Sequence, residues 1–153
     1  MNCNPHWTSY ISALLTPIVA CLGIYIAFRQ WKTAQNKQKH DLFDRRFTVY
    51  DEARKFIASI MTSGRVNDEE LYKFLSGTRE AKWLFDLCVE DYLDKELHHK
   101  ALYLQALASD LEDMSVGSVR NSNVQKQLET KQWFLKQYDV LDTKFSPFLS
   151  LKH

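Results

Sequence analysis

The residues with the most chemical reach in this chain are His98-His99, the one place where two imidazoles adjoin. Glu96 stands three residues before His99, the Glu-x-x-His spacing by which di-metal carboxylate bundles aim a carboxylate and an imidazole at one ion. Such a centre needs a second copy of the motif and two further inward carboxylates. The chain has no second copy, so no metal is expected there. Asp94 lies one helical turn before His98 and suits an ordinary surface pair. Cys88 sits among Leu84, Phe85, Leu87 and Val89. It is expected to be a buried small residue, since a nucleophilic thiolate needs a polar activating neighbour. The acids Glu90, Asp91, Asp94 and Glu96 make a hydrated helix face rather than a catalytic carboxylate pair.

Other catalytic signatures are missing. There is no glycine-rich phosphate loop and no Gly-x-Ser-x-Gly elbow. No arginine is followed by a histidine at the short spacing that marks the higher-eukaryote and prokaryote nucleotide-binding class of ribonucleases. The expectation is therefore a chain that is not an enzyme, with no catalytic residues, no bound metal and no cofactor. A net charge of +1 excludes a strong global field of either sign, so no specific nucleic-acid partner is expected. The three cysteines, Cys3, Cys21 and Cys88, are odd in number and too scattered for a metal site or a disulfide framework, and are expected as free thiols.

The element around which the rest is organised is residues 7–28, WTSYISALLTPIVACLGIYIAF, which contains no charged residue and no histidine. As a helix, twenty-two residues reach about 33 Å, against a hydrocarbon core of about 30 Å. Residues 1–6 lack Lys and Arg, and there is no clear cleavage site, so an uncleaved anchor is expected rather than a signal peptide. Basic residues cluster just beyond it, at Arg29, Lys32, Lys37, Lys39, Arg45 and Arg46. The positive-inside rule then places the N-terminus outside and the C-terminal part in the cytoplasm of a bacterial inner membrane. Trp7, Tyr10 and Trp31 suit the interfacial belts. Ser12, Thr16, Ala20, Gly23 and Ala27 follow at steps of four, four, three and four, which puts small or weakly polar residues on one stripe. Such stripes let membrane helices approach closely or line a pore. Pro17 is tolerated within a span.

With four Gly and three Pro in 153 residues, the remainder has a helix-forming composition. No Gly or Pro falls between Arg29 and Ser63, so the first helix is expected to run on to about Thr62, through a polar neck over 29–41. Phe43, Phe47, Tyr50, Ile57 and Met61 are expected to face the core, with Leu42, Ala53, Phe56 and Ile60 widening the face. Gly64 is placed to cap that helix, and Asn67 with Glu70 resembles a capping box for a short helix ending at Gly77. Thr78 is expected to open a long third helix through Leu93, Leu97, Ala101, Leu104, Ala108 and Leu111. After a loop over 114–123, a last helix starts near Ser122 or Asn123, turns Val124, Leu128, Leu135, Tyr138, Leu141 and Phe145 inward, and ends at Pro147. Phe148, Leu149 and Leu151 would pack back as a tail. The fold class is all-α: one transmembrane helix continuing into a cytoplasmic bundle of three long helices and one short one. The division is a stub over 1–6, a span over 7–28, a neck over 29–41 and a bundle over 42–153.

Two stretches carry a resemblance. Leu42-Phe43-Asp44-Arg45-Arg46-Phe47-Thr48-Val49-Tyr50 resembles the LFDxRFxVY segment of a group of small, uncharacterised bacterial membrane proteins. Trp133-Phe134-Leu135-Lys136-Gln137 and Phe145-Ser146-Pro147-Phe148-Leu149 resemble the WFxxQ and FxPYL ends of the same group, with Phe148 for the usual Tyr. That resemblance implies a spanning helix, a neck and a bundle, and no particular activity. In architecture alone, the chain is also similar to the pore-type membrane accessory proteins of RNA-targeting CRISPR systems. The expected function is a self-associating inner-membrane effector or accessory protein of anti-phage defence, pore-forming or membrane-depolarising, in contact with lipid. Ser12, Thr16, Ala20, Gly23 and Ala27 would supply span contacts or pore lining. Phe43, Arg45, Arg46 and Phe47 would make the stalk–bundle or subunit contact, the arginines pairing with acids such as Glu80 or Asp86. The alternative is a passive anchor or adaptor that recruits a cytosolic protein partner.

Overall fold

The computed structural model describes residues 7–113 and 115–150, with side chains from Pro17 onward except that of Asp113. Within them the chain is all-helical, with no strand. It divides into two compact units, Met1–Asp41 and Leu42–His153, and helix α1, Trp7–Ser63, contributes to both. Among the described residues no helix is long and apolar enough to cross a membrane. The side chains of residues 7–16, which the expected span requires, lie outside the described residues, as do the stub over 1–6, Cys3, Met114 and Leu151.

Among the described residues, the first unit is a helix without a partner of its own. Every described side chain from Pro17 to Asp41 is exposed.

In the second unit, α1 buries Val49, Ala53, Phe56, Ile57 and Ile60, whose steps of four, three, one and three define one face. Gly64 ends the helix at φ +68°, with its N–H donating to the Ile60 carbonyl at 2.8 Å. That left-handed residue is a glycine because other side chains resist it. Helix α2, Asp68–Gly77, opens on Asn67, whose side chain accepts from the Glu69 N–H at 3.1 Å. Glu70 turns instead to Lys73. Phe74 stacks on Phe56 with ring centroids 4.5 Å apart, fixing α2 on α1.

The long third helix is broken into pieces. Thr78 is a C-cap of α2, its hydroxyl donating to the Phe74 carbonyl at 2.7 Å, rather than the expected N-cap. A short α3, Ala81–Leu84, stops at Phe85, which is extended at φ −129° and ψ 177°. The break sends the Phe85 ring against Phe145 and Phe148, at 4.9 and 5.3 Å. Asp86 then caps α4, Leu87–Asp91, by accepting from the Val89 N–H at 3.1 Å. A π-helical turn, Tyr92–His98, leads into α5, His99–Asp113. Tyr92, Leu93, Leu97, Ala101, Leu104 and Leu107 are all buried along this path.

Helix α6, Ser118–Leu149, starts earlier than expected and carries Pro147 inside its last turn. Its inward face is also rotated from expectation. Phe134, Leu141 and Phe145 are buried together with Asn123, Thr130 and Gln137, while Val124, Leu128 and Leu135 are about half exposed. The polar residues are tolerated inside because each is bonded. Thr130 donates to the Lys126 carbonyl at 2.8 Å, and Asn123 accepts from Gln127 at 2.9 Å. Gln137 accepts from the buried Tyr92 hydroxyl at 3.1 Å and donates to the Trp133 carbonyl at 3.1 Å.

Candidate functional site

Of the expected stripe on the first helix, Ala20, Gly23 and Ala27 are exposed, and a Cβ at Gly23 would meet nothing within 4 Å. The side chains of Ser12 and Thr16 lie outside the described residues. Large apolar residues flank this stripe and cover the rest of the same stretch. Ile18, Val19, Leu22, Ile24, Tyr25, Ile26, Phe28 and Trp31 are each more than half exposed. Phe28 and Trp31 pack at 6.0 Å between ring centroids.

The second expected cluster, near Leu42, is built around Arg46. Its Nε donates to the Leu84 carbonyl at 3.0 Å, and one terminal nitrogen donates to the Phe148 carbonyl at 3.3 Å. The guanidinium also lies near the faces of Phe85 and Phe148, at 6.0 and 5.6 Å. Leu84 closes α3 and Phe148 lies in the last turn of α6, where carbonyls lack helical partners and the helix ends carry partial negative charge. Arg46 therefore ties two helix ends to α1, rather than pairing with an acid as expected. Arg45 is the one that approaches an acid, Glu80, at 4.0 Å between exposed side chains. A pair of that kind contributes little. Asp86 is engaged as a cap.

Phe43 and Phe47 were expected in the core. Phe43 is half-buried, whereas Phe47 is 46% exposed. The buried position in this turn is Val49, because the α1 face that meets the bundle runs through 49, 53, 56 and 60. Phe43 and Phe47 stack nearly parallel at 6.0 Å, and Phe47, Tyr50 and Phe145 continue the ring contacts inward at 5.8 and 5.7 Å. Tyr50 donates to Asp142 Oδ1 at 2.6 Å and accepts from Arg54 at 2.6 Å, joining α1 to α6. Burial and the bond to Asp142 push the Tyr50 phenol up from its usual range.

The remaining candidates are not brought together. Among the described residues, no group of three or more His, Cys, Asp or Glu could hold a metal ion. His98 and His99 rings stand 6.0 Å apart, and His98 Nδ1 is 3.6 Å from Asp94 Oδ1, short of a hydrogen bond. Cys88 is exposed rather than buried, since the break at Phe85 and Asp86 turns it outward, where Sγ accepts from Lys144 Nζ at 3.4 Å. A groove not expected from sequence lies beside the π turn, lined by Lys95, Glu96, His99, Lys100, Tyr103 and Trp133. Its signal was the interleaving of lysines with Tyr103 near a histidine pair. Trp133 comes from a distant helix.

In comparisons with known proteins, no family model, no curated protein and no solved structure matches this chain.

Proposed function

We propose that this chain is a self-associating, single-pass membrane protein that acts as an effector or accessory rather than as an enzyme. The observation that carries the reading is the first helix. Residues 7–28 contain no charge, and the large apolar side chains from Ile18 to Trp31 are exposed, with only small residues on the remaining stripe. A helix apolar all round is stable only inside a protein core or a bilayer. Among the described residues, no other part of the first unit covers it. The basic residues that follow favour an N-terminus outside the bacterial inner membrane and the bundle in the cytoplasm. Ser12, Thr16, Ala20, Gly23 and Ala27 supply the close contacts between copies, and Gly23 has open space around it for that purpose. Pore formation or depolarisation in anti-phage defence follows from the architectural similarity drawn from sequence.

Insertion is tested by washing membranes of expressing cells with alkaline carbonate. An integral protein stays in the pellet, and release into the supernatant would sink the proposal. Ion flux across liposomes loaded with the full chain then tests the pore.

A second reading is a passive anchor or adaptor that recruits a cytosolic protein. The wholly exposed, polar segment over 32–40 favours it, because such a segment serves as a tether. Replacing the span by an unrelated one of equal length preserves function in that reading and abolishes it in the first.

A further inference from the structure

The groove beside the π turn has a composition that no feature of the membrane reading uses. Its volume is about 360 Å³, within the range of small-ligand sites, roughly 300–1,000 Å³. One wall is the C-terminal part of the π turn and the start of α5, which bring Lys95, Glu96, His99 and Lys100 to one side. The other wall is Trp133 of α6, half-buried and packed edge-on against Phe134 at 5.1 Å. Tyr103 stands one turn below Lys100. Helical segments of the π type often mark functional sites, because the widened turn re-aims side chains at a stability cost.

The charges in this groove are unequal in their partners. Lys95 is held by Asp91 at 2.8 Å. Lys100 has no carboxylate within ion-pair distance among the described residues, and its Nζ stands 5.8 Å from the centroids of both Tyr103 and Trp133. An ammonium set between two aromatic faces, without a counter-ion, is a ready partner for an anion whose attached group can lie on those rings. His99 adds an imidazole on the same side. Glu96 is the single acid of the lining and accepts hydrogen bonds only, which suits an amino group on a ring system.

We propose that this groove binds a nucleoside monophosphate with an amino-bearing base. The phosphate meets Lys100 with His99. The base lies against Trp133 and Tyr103, with its amino group toward Glu96. Stacking of a base on an aromatic side chain tightens binding by about one to two orders of magnitude, enough to separate a nucleotide from bare phosphate. Both sides of the groove belong to the bundle, so ligand binding there would stiffen the contact between the π turn and α6.

The test is a calorimetric titration of the purified full chain with AMP, adenosine and inorganic phosphate in parallel. AMP is expected to bind one to one, with adenosine and phosphate each about tenfold weaker or more. Lys100→Glu inverts an exposed charge without touching the core, and is expected to weaken AMP binding about tenfold or more at unchanged helicity. Tyr103→Ala should weaken it less. No AMP binding up to about 1 mM, equal affinity for phosphate and AMP, or an AMP affinity indifferent to Lys100→Glu would each overturn the proposal.

Discussion

Arg46 Nε donates a 3.0 Å hydrogen bond to the Leu84 carbonyl across 38 positions of sequence. Its second bond, to Phe148, spans 102 positions. One side chain on α1 therefore fixes the ends of α3 and α6 together. The planar guanidinium holds its donors in fixed directions toward two acceptors while its flat face lies near aromatic rings, a geometry that a compact ammonium does not share.

Arg46→Ala is expected to destabilise the bundle by about 2 kcal/mol, through the loss of charge-assisted bonds to two carbonyls left short of partners. Arg46→Lys should recover only part of that. Arg45→Ala, next door, is expected to change stability by no more than about 0.5 kcal/mol, since its ion pair with Glu80 is long and exposed. Urea unfolding of the three variants checks the ranking. Equal losses at 45 and 46 would contradict the assignment.

Gly64 closes α1 at φ +68°, where a Cβ would approach only the flexible end of Lys131, at 3.4 Å from Nζ. The cost of Gly64→Ala is then one of backbone conformation rather than of collision, about 1 kcal/mol. Gly64→Asn should cost less, because Asn tolerates this region. A thermal melt of both variants measures the difference, and an Ala variant as stable as the parent would show that the helix end rearranges freely.

Tyr92 gives the bundle an alkaline limit. Burial, reinforced by the negative charge of Glu96, pushes its phenol well above the ordinary value of 10.0. The neutral form is favoured by the fold, so this stabilisation is complete below about pH 10 and is lost as pH rises above that toward the folded value. Tyr50 acts in the same direction, through burial and its bond to Asp142. Tyr92→Phe is expected to cost about 1 kcal/mol at neutral pH, because Gln137 Oε1 loses its donor, and to flatten the decline above pH 10. Stability measured by urea at pH 8 and pH 10.5 tests both parts.

Much of the fold was legible where local chemistry speaks alone. Gly64 and Asn67 announced their caps by residue type. The all-helical class followed from the scarcity of Gly and Pro. What was not legible depended on partners distant in sequence. The face of α6 was read from Val124, Leu128 and Leu135, yet the helix turns Asn123, Thr130 and Gln137 inward, at steps of seven, alongside Phe134 and Leu141. Polar residues could take those places because Tyr92 and neighbouring groups satisfy them, which no local pattern states. The break at Phe85 had a local sign in Asp86, a good N-cap ahead of Val89, but apolar spacing on both sides masked it. The acceptors of Arg46, two backbone carbonyls, carry no side-chain signature at all.

The proposed assembly joins copies of this chain through a membrane-embedded first helix with Gly23 at the contact. The mass of the detergent-solubilised full chain, measured by light scattering, addresses it most directly. One defined particle of several copies is expected, reduced in size by Gly23→Leu, since within a single chain that position faces open space. A monomer, or a particle whose mass Gly23→Leu leaves unchanged, would contradict it.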